Sequence, residues 1–334
     1  MSITILGIES SCDETSASIC RDNKVINNII ATQSIHEQYG GVVPELASRA
    51  HQKNIVPVVE QALVNANIEL KELTAIAYTQ GPGLLGALLV GSSFAKSMSM
   101  ALNIPLIPVN HLQAHVLSHF VDDPKPKLPF LCLTVSGGHT QIVLVKDYLE
   151  MEVIGQTIDD AAGEAFDKGA KLLGLPYPGG PLIDHNAKSG DTKKFTFSKA
   201  DVPDLNFSFS GIKTSLLYFL RKELAKDDQF IEKNINDLSA SYQDTIVAML
   251  LDKLSKAAKT HNIDQIAIAG GVSANSYLRD QLVALGKKNG WDIFIPKFEY
   301  CTDNAGMISI TGYYKYLAQQ FGNMTDTSKP RMPI

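Results

Sequence analysis

Residues 3–20 read ITILGIESSCDETSASIC, and this stretch decides the fold of the chain. An apolar run of strand type, Ile3–Ile8, leads into the polar turn Glu9–Thr15, and a second run, Ser16–Cys20, follows the turn. Short apolar runs that are bounded by polar turns are typical of paired strands. The stretch therefore predicts a hairpin with an acidic, hydroxyl-rich tip, which a third strand-like run, Val25–Ala31, continues.

The same order of elements returns in the second half of the chain, which indicates an internal duplication. Phe130–Val135 is predicted as a strand, Ser136–His139 as the hairpin tip and Thr140–Val145 as the returning strand. Two further strands in each half lead into glycine or polar residues: Ala75–Thr79 into Gly81-Pro82-Gly83, Leu106–Val109 into His111, Gln265–Ala269 into Gly270-Gly271, and Ile293–Pro296 into Cys301–Asn304. When the two halves are overlaid, the hairpin tip Glu9–Thr15 corresponds to Ser136–His139, and the turn Gly81–Gly83 corresponds to Gly270-Gly271. His111 then corresponds to the region of Asp303.

The duplication predicts an α/β fold of two lobes, residues 1–128 and 129–334. The second lobe is expected to contain Asp303 and an inserted segment at residues 176–240. Long helices are predicted at Pro44–Ala66 and near residues 160–173. Ligands usually lie outside the carboxyl ends of the strands in open α/β sheets, so both sets of strand ends are expected to face one interlobe cleft.

The composition is that of an ordinary globular protein, with 45% hydrophobic and 19% charged residues among 334. A net charge of −5 argues against a protein that coats nucleic acid through a uniformly positive surface, although a local basic patch is compatible with it. The four cysteines show no CxxC spacing and are expected to be reduced thiols. The start of the chain lacks the basic region of a signal peptide, and no uncharged apolar run is long enough to cross a bilayer. We therefore expect a cytoplasmic protein without membrane contact.

A candidate metal site is carried by the sequence HLQAH at residues 111–115. Two imidazoles four residues apart project from the same face of a helix, so His111 and His115 can hold one ion. The duplication offers Asp303, from the opposite lobe, as a third ligand. Two histidines and one carboxylate suit iron, zinc or manganese and leave positions open for substrate. Helix capping is the alternative for Asp303, because Asp is common in the first turn of a helix.

The glycine turns after the strands are candidate anion-binding sites. Glycines at Ser136–His139 and at Gly270–Asn275 expose backbone N–H groups, and the Asn275 amide is expected to bond a ribose or base. Asp167 and Asp184 are candidates for ribose hydroxyls, although each alone is more often a surface or capping residue. None of these turns has P-loop or GxGxxG spacing, so those two nucleotide-binding modes are disfavoured.

Two other functional readings are weaker. A metalloprotease of the HExxH type has a glutamate beside the first histidine as its general base, and this chain has Leu112 there. The segment Asn206–Thr214 mixes aromatics, hydroxyls and a lysine that could contact nucleic acid. Its alternating Phe207 and Phe209 fit core packing better.

Seven stretches in chain order carry a resemblance to a known family: Gly7–Thr15, Gly41–His51, Gly81–Gly83, Asn110–His115, Ser136–Thr140, Gly270–Asn275 and Cys301–Asn304. Together they closely resemble the bacterial TsaD family. Its members are tRNA N6-adenosine threonylcarbamoyltransferases, formerly called Gcp or O-sialoglycoprotein endopeptidases. The resemblance spans nearly the whole chain. It implies an actin-like and Hsp70-like ATPase-type (ASKHA) fold with duplicated ribonuclease H-like lobes.

The resemblance also implies a reaction, which is transfer of the threonylcarbamoyl group from threonylcarbamoyl-AMP to the exocyclic amine of adenosine 37 in tRNAs that read codons beginning with A. It implies that His111, His115 and Asp303 hold one divalent metal ion, with Fe²⁺ preferred and Zn²⁺ or Mn²⁺ as alternatives. The residues implied to hold the adenylate are Thr134, Val135, Ser136, Gly137, Gly138, Asp167, Gly180, Asp184 and Asn275. Proton transfer is assigned as a hypothesis to Asp13, Glu14 or His139. The partners implied are tRNA, a shorter paralogue called TsaB and an ATPase called TsaE.

Two rival functions stay open on the sequence. A small-molecule kinase of the same fold superfamily would bind ATP with magnesium, which prefers oxygen ligands, so the histidine pair counts against it. A nucleotide-sensing module without turnover is the other rival. A search for modified adenosine in tRNA incubated with this protein separates both from a transferase.

Overall fold

The computed structural model describes residues 2–334. Ten strands form two five-stranded sheets, and in chain order they are β1 (Thr4–Glu9), β2 (Thr15–Arg21), β3 (Lys24–Ala31), β4 (Ala75–Gly81), β5 (Leu106–Asn110), β6 (Phe130–Val135), β7 (Thr140–Asp147), β8 (Glu150–Gln156), β9 (Gln265–Ala269) and β10 (Asp292–Phe294).

Nine α-helices connect and cover the strands among the described residues: α1 (Pro44–Ala66), α2 (Leu85–Leu102), α3 (His111–Leu117), α4 (Ala162–Leu172), α5 (Gly179–Ala187), α6 (Ser210–Leu224), α7 (Phe230–His261), α8 (Ser276–Asn289) and α9 (Ala305–Leu317). Short 3₁₀ turns lie at Ser34–Tyr39, Leu70–Glu72, Ser118–Phe120, Gly271–Ala274 and Phe298–Tyr300. The helix predicted at Pro44–Ala66 has the expected bounds, with proline in its first turn and Asn67 in the left-handed conformation at its end.

The first sheet has the order β3-β2-β1-β4-β5. The strand β1 pairs antiparallel with β2 and parallel with β4, and β4 pairs parallel with β5. Every residue of β1 and β4 is buried, as expected for strands that are covered on both faces. The carboxyl ends of β1, β4 and β5 therefore lie side by side at one edge of this sheet.

The second sheet has the order β10-β9-β6-β7-β8, which repeats the first sheet term by term. The strand β6 takes the place of β1, since it pairs antiparallel with β7 and parallel with β9. This topology confirms the predicted duplication and the α/β fold class. The sequence analysis missed β8 as well as the helices α5 and α6 of the inserted segment.

The chain forms two compact units whose boundaries differ from the predicted ones. The first unit contains the described residues up to Lys125, together with Asp147–Met151 and Pro296–Ile334, and the second contains Pro126–Lys146 and Glu152–Ile295. The prediction that residues 129–334 form one lobe is therefore wrong at its C-terminal end. Asp303 belongs to the same unit as His111 and does not come from an opposite lobe.

Helix α9 joins the first unit because its backbone packs directly on β1. A Cβ at Gly7 would lie 2.6 Å from the Ser309 nitrogen and 2.8 Å from the Ala305 oxygen, so only glycine allows this approach. The free N–H groups at the start of α9 are satisfied by the same sheet. Ala305 donates to the Ser16 hydroxyl (2.9 Å), and Gly306 donates to the Asn28 side-chain oxygen (3.1 Å). These contacts fix the position of Asp303, two residues before α9.

One helix among the described residues, α2, is long and apolar enough to cross a membrane. Such a helix by itself is weak evidence for a membrane protein. In this fold α2 is the crossover between the parallel strands β4 and β5, and its buried residues include Ala87, Leu88 and Ala95.

Candidate metal centre

The two histidines lie on the first turns of α3, directly after β5. Asn110 caps this helix, because its side-chain oxygen accepts hydrogen bonds from the backbone nitrogens of Leu112 (2.9 Å) and Gln113 (3.2 Å). His111 and His115 are both buried, and their rings lie edge to face with centroids 4.6 Å apart. The cap thus fixes the first turn of α3, and with it the positions of both imidazoles.

Asp303 faces both histidines. Its Oδ1 atom lies 3.3 Å from the Nε2 atom of His111 and 3.3 Å from the Nε2 atom of His115. The helix-capping role considered for Asp303 is taken by its neighbour Asn304, whose side chain accepts from the Met307 nitrogen. The Asp303 carboxylate is therefore available as a ligand.

The spacing and chemistry of this group fit a metal ion. One ligand atom from each of His111, His115 and Asp303 lies within 4.8 Å of the others. Ligands with bonds of about 2.1 Å at tetrahedral to octahedral angles are roughly 3.0–3.4 Å apart, which brackets the distances from Asp303 to both imidazoles. The three residues can hold a metal ion, with two nitrogen ligands and one oxygen ligand.

The electrostatics of the group also favour a cation. Burial lowers the pKa of His111, but the nearby carboxylates of Asp303 and Glu9 outweigh this effect and raise it well above its usual value. Burial would raise the pKa of Asp303, yet the two histidines hold it well below its usual range. Burial lowers the pKa of His115 and outweighs its hydrogen bond to Asp303. Two carboxylates beside one buried imidazole stabilise positive charge at this position.

The acidic turn after β1 contains the predicted proton-transfer residues Asp13 and Glu14. Burial raises the pKa of Glu14 to about 9, and the charges of Asp303 and Asp13 add to this effect. Burial also raises the pKa of the Cys12 thiol strongly, with Asp303 and Asp13 adding to the shift. Cys12 is thus no thiolate nucleophile.

The buried side chain of His51, on α1, clamps this acidic turn at both ends. Its Nε2 atom lies 3.0 Å from the Cys12 carbonyl oxygen and its Nδ1 atom 2.8 Å from the Thr15 hydroxyl. A carbonyl can only accept, so Nε2 carries the proton and Nδ1 accepts from Thr15. His51 therefore determines the conformation of the turn that presents Asp13 and Glu14.

We expect His51→Ala to lower the free energy of unfolding by about 2 kcal/mol or more, because two buried polar groups lose their partner. Chemical denaturation checks this, with the exposed Arg49→Ala on the same helix as the matched control. A His51→Ala protein as stable as the control would contradict the clamp.

The second unit carries the predicted adenylate-binding turn. Thr134 and Val135, which were predicted to contact the adenylate, are fully buried in β6. Gly137 and Gly138 lie in the exposed tip of the β6–β7 hairpin, and a Cβ at either would meet nothing within 4 Å. The hairpin is closed by Ser136, whose nitrogen donates to the His139 oxygen at 2.8 Å. The tip leaves open space over its glycines.

The remaining predicted adenylate residues form two neighbouring pairs in the second unit. Asp167 accepts from the nitrogens of Gly179 (2.9 Å) and Gly180 (3.3 Å) at the start of α5. Burial raises the pKa of Asp167, although these two hydrogen bonds lower it. The structure thus brings Asp167 and Gly180 together at a helix N-terminus.

The second pair lies at the start of α8. Asp184 accepts from the Ser276 nitrogen (3.1 Å) and hydroxyl (2.9 Å), beside Asn275. Asn275 caps α8 through its oxygen and donates its amide to Gln243 (2.6 Å). Asp184 thus has the capping role that was its alternative to ligand binding. One amide hydrogen of Asn275 stays available for a ribose or base.

Residues 24–310 match the model of the TsaD family, described as tRNA N6-adenosine threonylcarbamoyltransferase. The chain belongs to the TsaD family. It is 61% identical over 332 residues to the tRNA N6-adenosine threonylcarbamoyltransferase of Christiangramia forsetii, an alignment that covers 98% of each chain. It is 57% identical over 334 residues to the protein of the same name from Cytophaga hutchinsonii, covering 100% of this chain and 97% of the relative. The predicted family is confirmed, and the TsaD family consists of transferases that modify tRNA.

Solved structures show the fold that the TsaD family shares with HypF. The crystal structure of full-length HypF in the phosphate- and nucleotide-bound form aligns with a TM-score of 0.62 at 14% identity, covering 94% of this chain and 46% of HypF. The structure of T. kodakarensis HypF aligns with a TM-score of 0.63 at 12% identity, covering 98% of this chain and 50% of that one. This chain thus spans about half of each HypF protein, and the likeness carries the fold alone. The predicted ASKHA fold class is confirmed.

In this TsaD-family chain, three polar residues near the candidate metal centre were missed by the sequence analysis: Glu9, Ser11 and Thr79. Glu9 ends β1, Thr79 lies two residues before the end of the neighbouring parallel strand β4, and Ser11 lies in the turn after β1. Ser11 Oγ lies 3.2 Å from His111 Nδ1 and 3.5 Å from Asp303 Oδ2. The available signal was the rule that carboxyl ends of parallel strands converge, which applies to Glu9 and Thr79 as well as to His111.

In the segment Asn206–Thr214, the structure supports core packing. Phe207 and Phe209 are buried in the core of the second unit, with ring centroids 5.9 Å apart. The helix α6 begins directly after them at Ser210. These two aromatics are therefore not available to stack on nucleic acid bases.

Proposed function

We propose that this chain forms N6-threonylcarbamoyladenosine at position 37 of tRNAs that read codons beginning with A, using threonylcarbamoyl-AMP as the donor. The observation that supports this most is the similarity, over 98% of the chain, to tRNA N6-adenosine threonylcarbamoyltransferases, combined with a group of two buried histidines and Asp303 that can hold a metal. Both point to a transferase of this class.

The chemistry of the reaction explains what such a site must do. The donor is a mixed anhydride and is already activated, whereas the acceptor amine is weakly nucleophilic because its lone pair is delocalised into the purine. The amine nitrogen forms a bond to the carbamoyl carbon, the bond to the phosphate oxygen breaks, AMP leaves, and the amine loses a proton. The protein therefore has to position the amine, stabilise the phosphate and accept the proton.

We assign His111, His115 and Asp303 as the residues that hold the metal, with Fe²⁺ as the proposed ion and Zn²⁺ or Mn²⁺ as alternatives. When bound, the metal would supply Lewis-acid polarisation of the threonylcarbamoyl oxygens. Nitrogen ligands favour these transition metals over magnesium, which prefers oxygen. That preference also disfavours the small-molecule kinase.

In the proposal, the second unit binds the adenylate. The backbone N–H groups of Gly137 and Gly138 neutralise the phosphate, because open space lies over both glycines. Asp167, Gly180, Asp184 and Asn275 hold the nucleoside part. Asp13, Glu14 or His139 handles the proton.

We expect Gly138→Ala to raise the KM for threonylcarbamoyl-AMP at least tenfold, about 1.4 kcal/mol, because the new methyl group occupies the proposed ligand space. The free energy of unfolding should change by less than about 0.5 kcal/mol, since the methyl group meets no protein atom within 4 Å. Steady-state kinetics and denaturation check this. Gly211→Ala, which also points into open space, is the control, and an unchanged KM in Gly138→Ala would argue against the phosphate turn.

The proposed assembly includes tRNA, the shorter paralogue TsaB and the ATPase TsaE, and the proposed location is the cytoplasm. The net charge of −5 agrees with part of the tRNA-binding surface belonging to the partners. Pull-down with tagged chain tests the assembly.

The deciding experiment is incubation of the chain with tRNA, threonylcarbamoyl-AMP and each of Fe²⁺, Zn²⁺ and Mn²⁺, followed by mass spectrometry of the nucleosides. Modified adenosine is the expected product, with release of an equal amount of AMP. Absence of the product, even with the partner proteins added, would overturn the proposal. Phosphorylation of small molecules by ATP in parallel samples would favour the kinase instead.

A further inference from the structure

We propose that Glu9 is a positioning residue that fixes the tautomer of His111, so that the lone pair of its Nε2 atom is presented to the metal. The inference rests on the metal-binding role proposed above and adds a residue that binds no substrate and no metal itself.

Glu9 ends β1 and is completely buried. Its Oε1 atom accepts a hydrogen bond from the Ser11 nitrogen (2.5 Å), and its Oε2 atom accepts from the Thr79 hydroxyl (2.8 Å). The same Oε2 atom lies 3.0 Å from His111 Nδ1. These contacts come from three different segments, so the carboxylate is held rigidly.

The hydrogen bonds determine where the proton of His111 lies. Both oxygens of Glu9 already accept from Ser11 and Thr79, so the hydrogen between Glu9 and His111 belongs to the imidazole. Nδ1 is therefore the protonated nitrogen. Ser11 Oγ, 3.2 Å from the same Nδ1, then directs its own hydrogen to Asp303 Oδ2 at 3.5 Å. In this network, His111 Nδ1 donates to Glu9 and the Ser11 hydroxyl donates to Asp303.

The consequence appears at the other ring nitrogen. With the proton on Nδ1, the lone pair of His111 Nε2 faces Asp303 Oδ1 at 3.3 Å. Two acceptors at that distance repel each other unless a cation, either a second proton or a metal ion, lies between them. Histidines that bind metals commonly donate their other N–H to a carboxylate, which orients the ring and raises its basicity. Glu9 supplies this carboxylate to His111.

The backbone explains why a glutamate at this position can reach His111. The strands β1, β4 and β5 are adjacent and parallel, so Glu9, Thr79 and His111 come together at one edge of the sheet. His115 differs, since its buried Nδ1 has no hydrogen-bond partner among the described residues. Of the two histidines, His111 alone has, among the described residues, a carboxylate at the ring nitrogen that points away from Asp303.

Glu9→Gln tests the inference by the affinity for Zn²⁺, measured by equilibrium dialysis against a competing chelator. We expect affinity to fall 10-fold to 100-fold, the usual effect of losing such a partner. Thr79→Val, which removes one hydrogen bond to Glu9 and leaves the carboxylate, should lower affinity less than 3-fold by the same reasoning. The exposed Glu60→Gln on α1 is the matched control for the loss of one carboxylate.

The tautomer itself is a second readout that requires no variant. In wild-type protein with ¹⁵N-labelled histidine and no added metal, at a pH where His111 is neutral, long-range NMR correlations should show His111 with its Nδ1 protonated. In Glu9→Gln the amide can donate to Nδ1, so the proportion of the Nε2-protonated tautomer should rise.

The outcomes separate the two proposals. A wild-type protein that binds no Zn²⁺ contradicts the metal role. A wild type that binds Zn²⁺ while Glu9→Gln binds it equally tightly overturns the role of Glu9. A wild-type His111 whose Nδ1 is unprotonated also overturns it, even where Glu9→Gln fails to fold.

Discussion

Asp303→Asn should lower the rate of threonylcarbamoyl transfer about 1000-fold, because Lewis-acid polarisation contributes several kcal/mol and each 1.36 kcal/mol is tenfold in rate. Asparagine keeps the size of the side chain and removes the negative charge that faces both imidazoles at 3.3 Å. Metal content, measured by elemental analysis, should fall together with the rate.

The control for this variant is Asp252→Asn, at an exposed aspartate on α7 that pairs with Lys256. Exposed ion pairs contribute about 0–1 kcal/mol, so this protein should keep its activity and its metal. If Asp303→Asn transferred at the wild-type rate without bound metal, the metal would have no part in the reaction.

The largest effect on stability is expected from Gly7→Ala. The added methyl group would lie 2.6–2.8 Å from backbone atoms of Ser309 and Ala305, and backbone cannot rotate away as a side chain can. Overpacking of this kind typically costs 1–3 kcal/mol, and we expect about 3 kcal/mol here. Calorimetry should show the transition of the first unit at lower temperature.

Metal binding should weaken in the same variant, because α9 must move away from β1 and Asp303 lies directly before α9. Gly138→Ala is the stability control, since its methyl group enters open space. A Gly7→Ala protein with unchanged transition temperature and unchanged Zn²⁺ affinity would show that α9 does not depend on this close contact.

Much of the fold could be predicted because the decisive patterns are local. The strands Phe130–Val135 and Gln265–Ala269 have the predicted bounds, since continuous apolar runs are typical of strands buried on both faces. The strand β8 was missed because its sequence, EMEVIGQ, belongs to a half-exposed sheet edge and shows no such run. The repeat of hairpin tips and glycine turns then predicted that the second half of the chain repeats the first.

The position of Asp303 could not be predicted in the same way. The repeat places Asp303 after β10 just as His111 follows β5, and this suggested a ligand from the other lobe. The contacts that join α9 to the first unit involve Gly7, Ser16 and Asn28, which are distant in sequence and carry no local pattern. Such long-range packing is decided by shape and by paired polar groups.

The candidate site was predicted only in part for the same reason. Four-residue spacing on a helix is a local signal, so His111 and His115 could be recognised together. The carboxylate of Glu9 and the imidazole of His51 are recognised only when strand ends and helix faces are placed beside each other. The alternation of Phe207 and Phe209, by contrast, predicted their burial correctly.

The return of α9 to the first sheet affects the order in which the molecule can be made. His115 and Asp303 are 188 residues apart, and Ser11 and Asp303 are 292 apart. A ribosome synthesises the chain from its N-terminus, so most of the protein must be synthesised before α9 can cover β1. The nascent first sheet therefore exposes apolar surface for much of translation, and a chaperone or an early-bound partner would protect it during that interval.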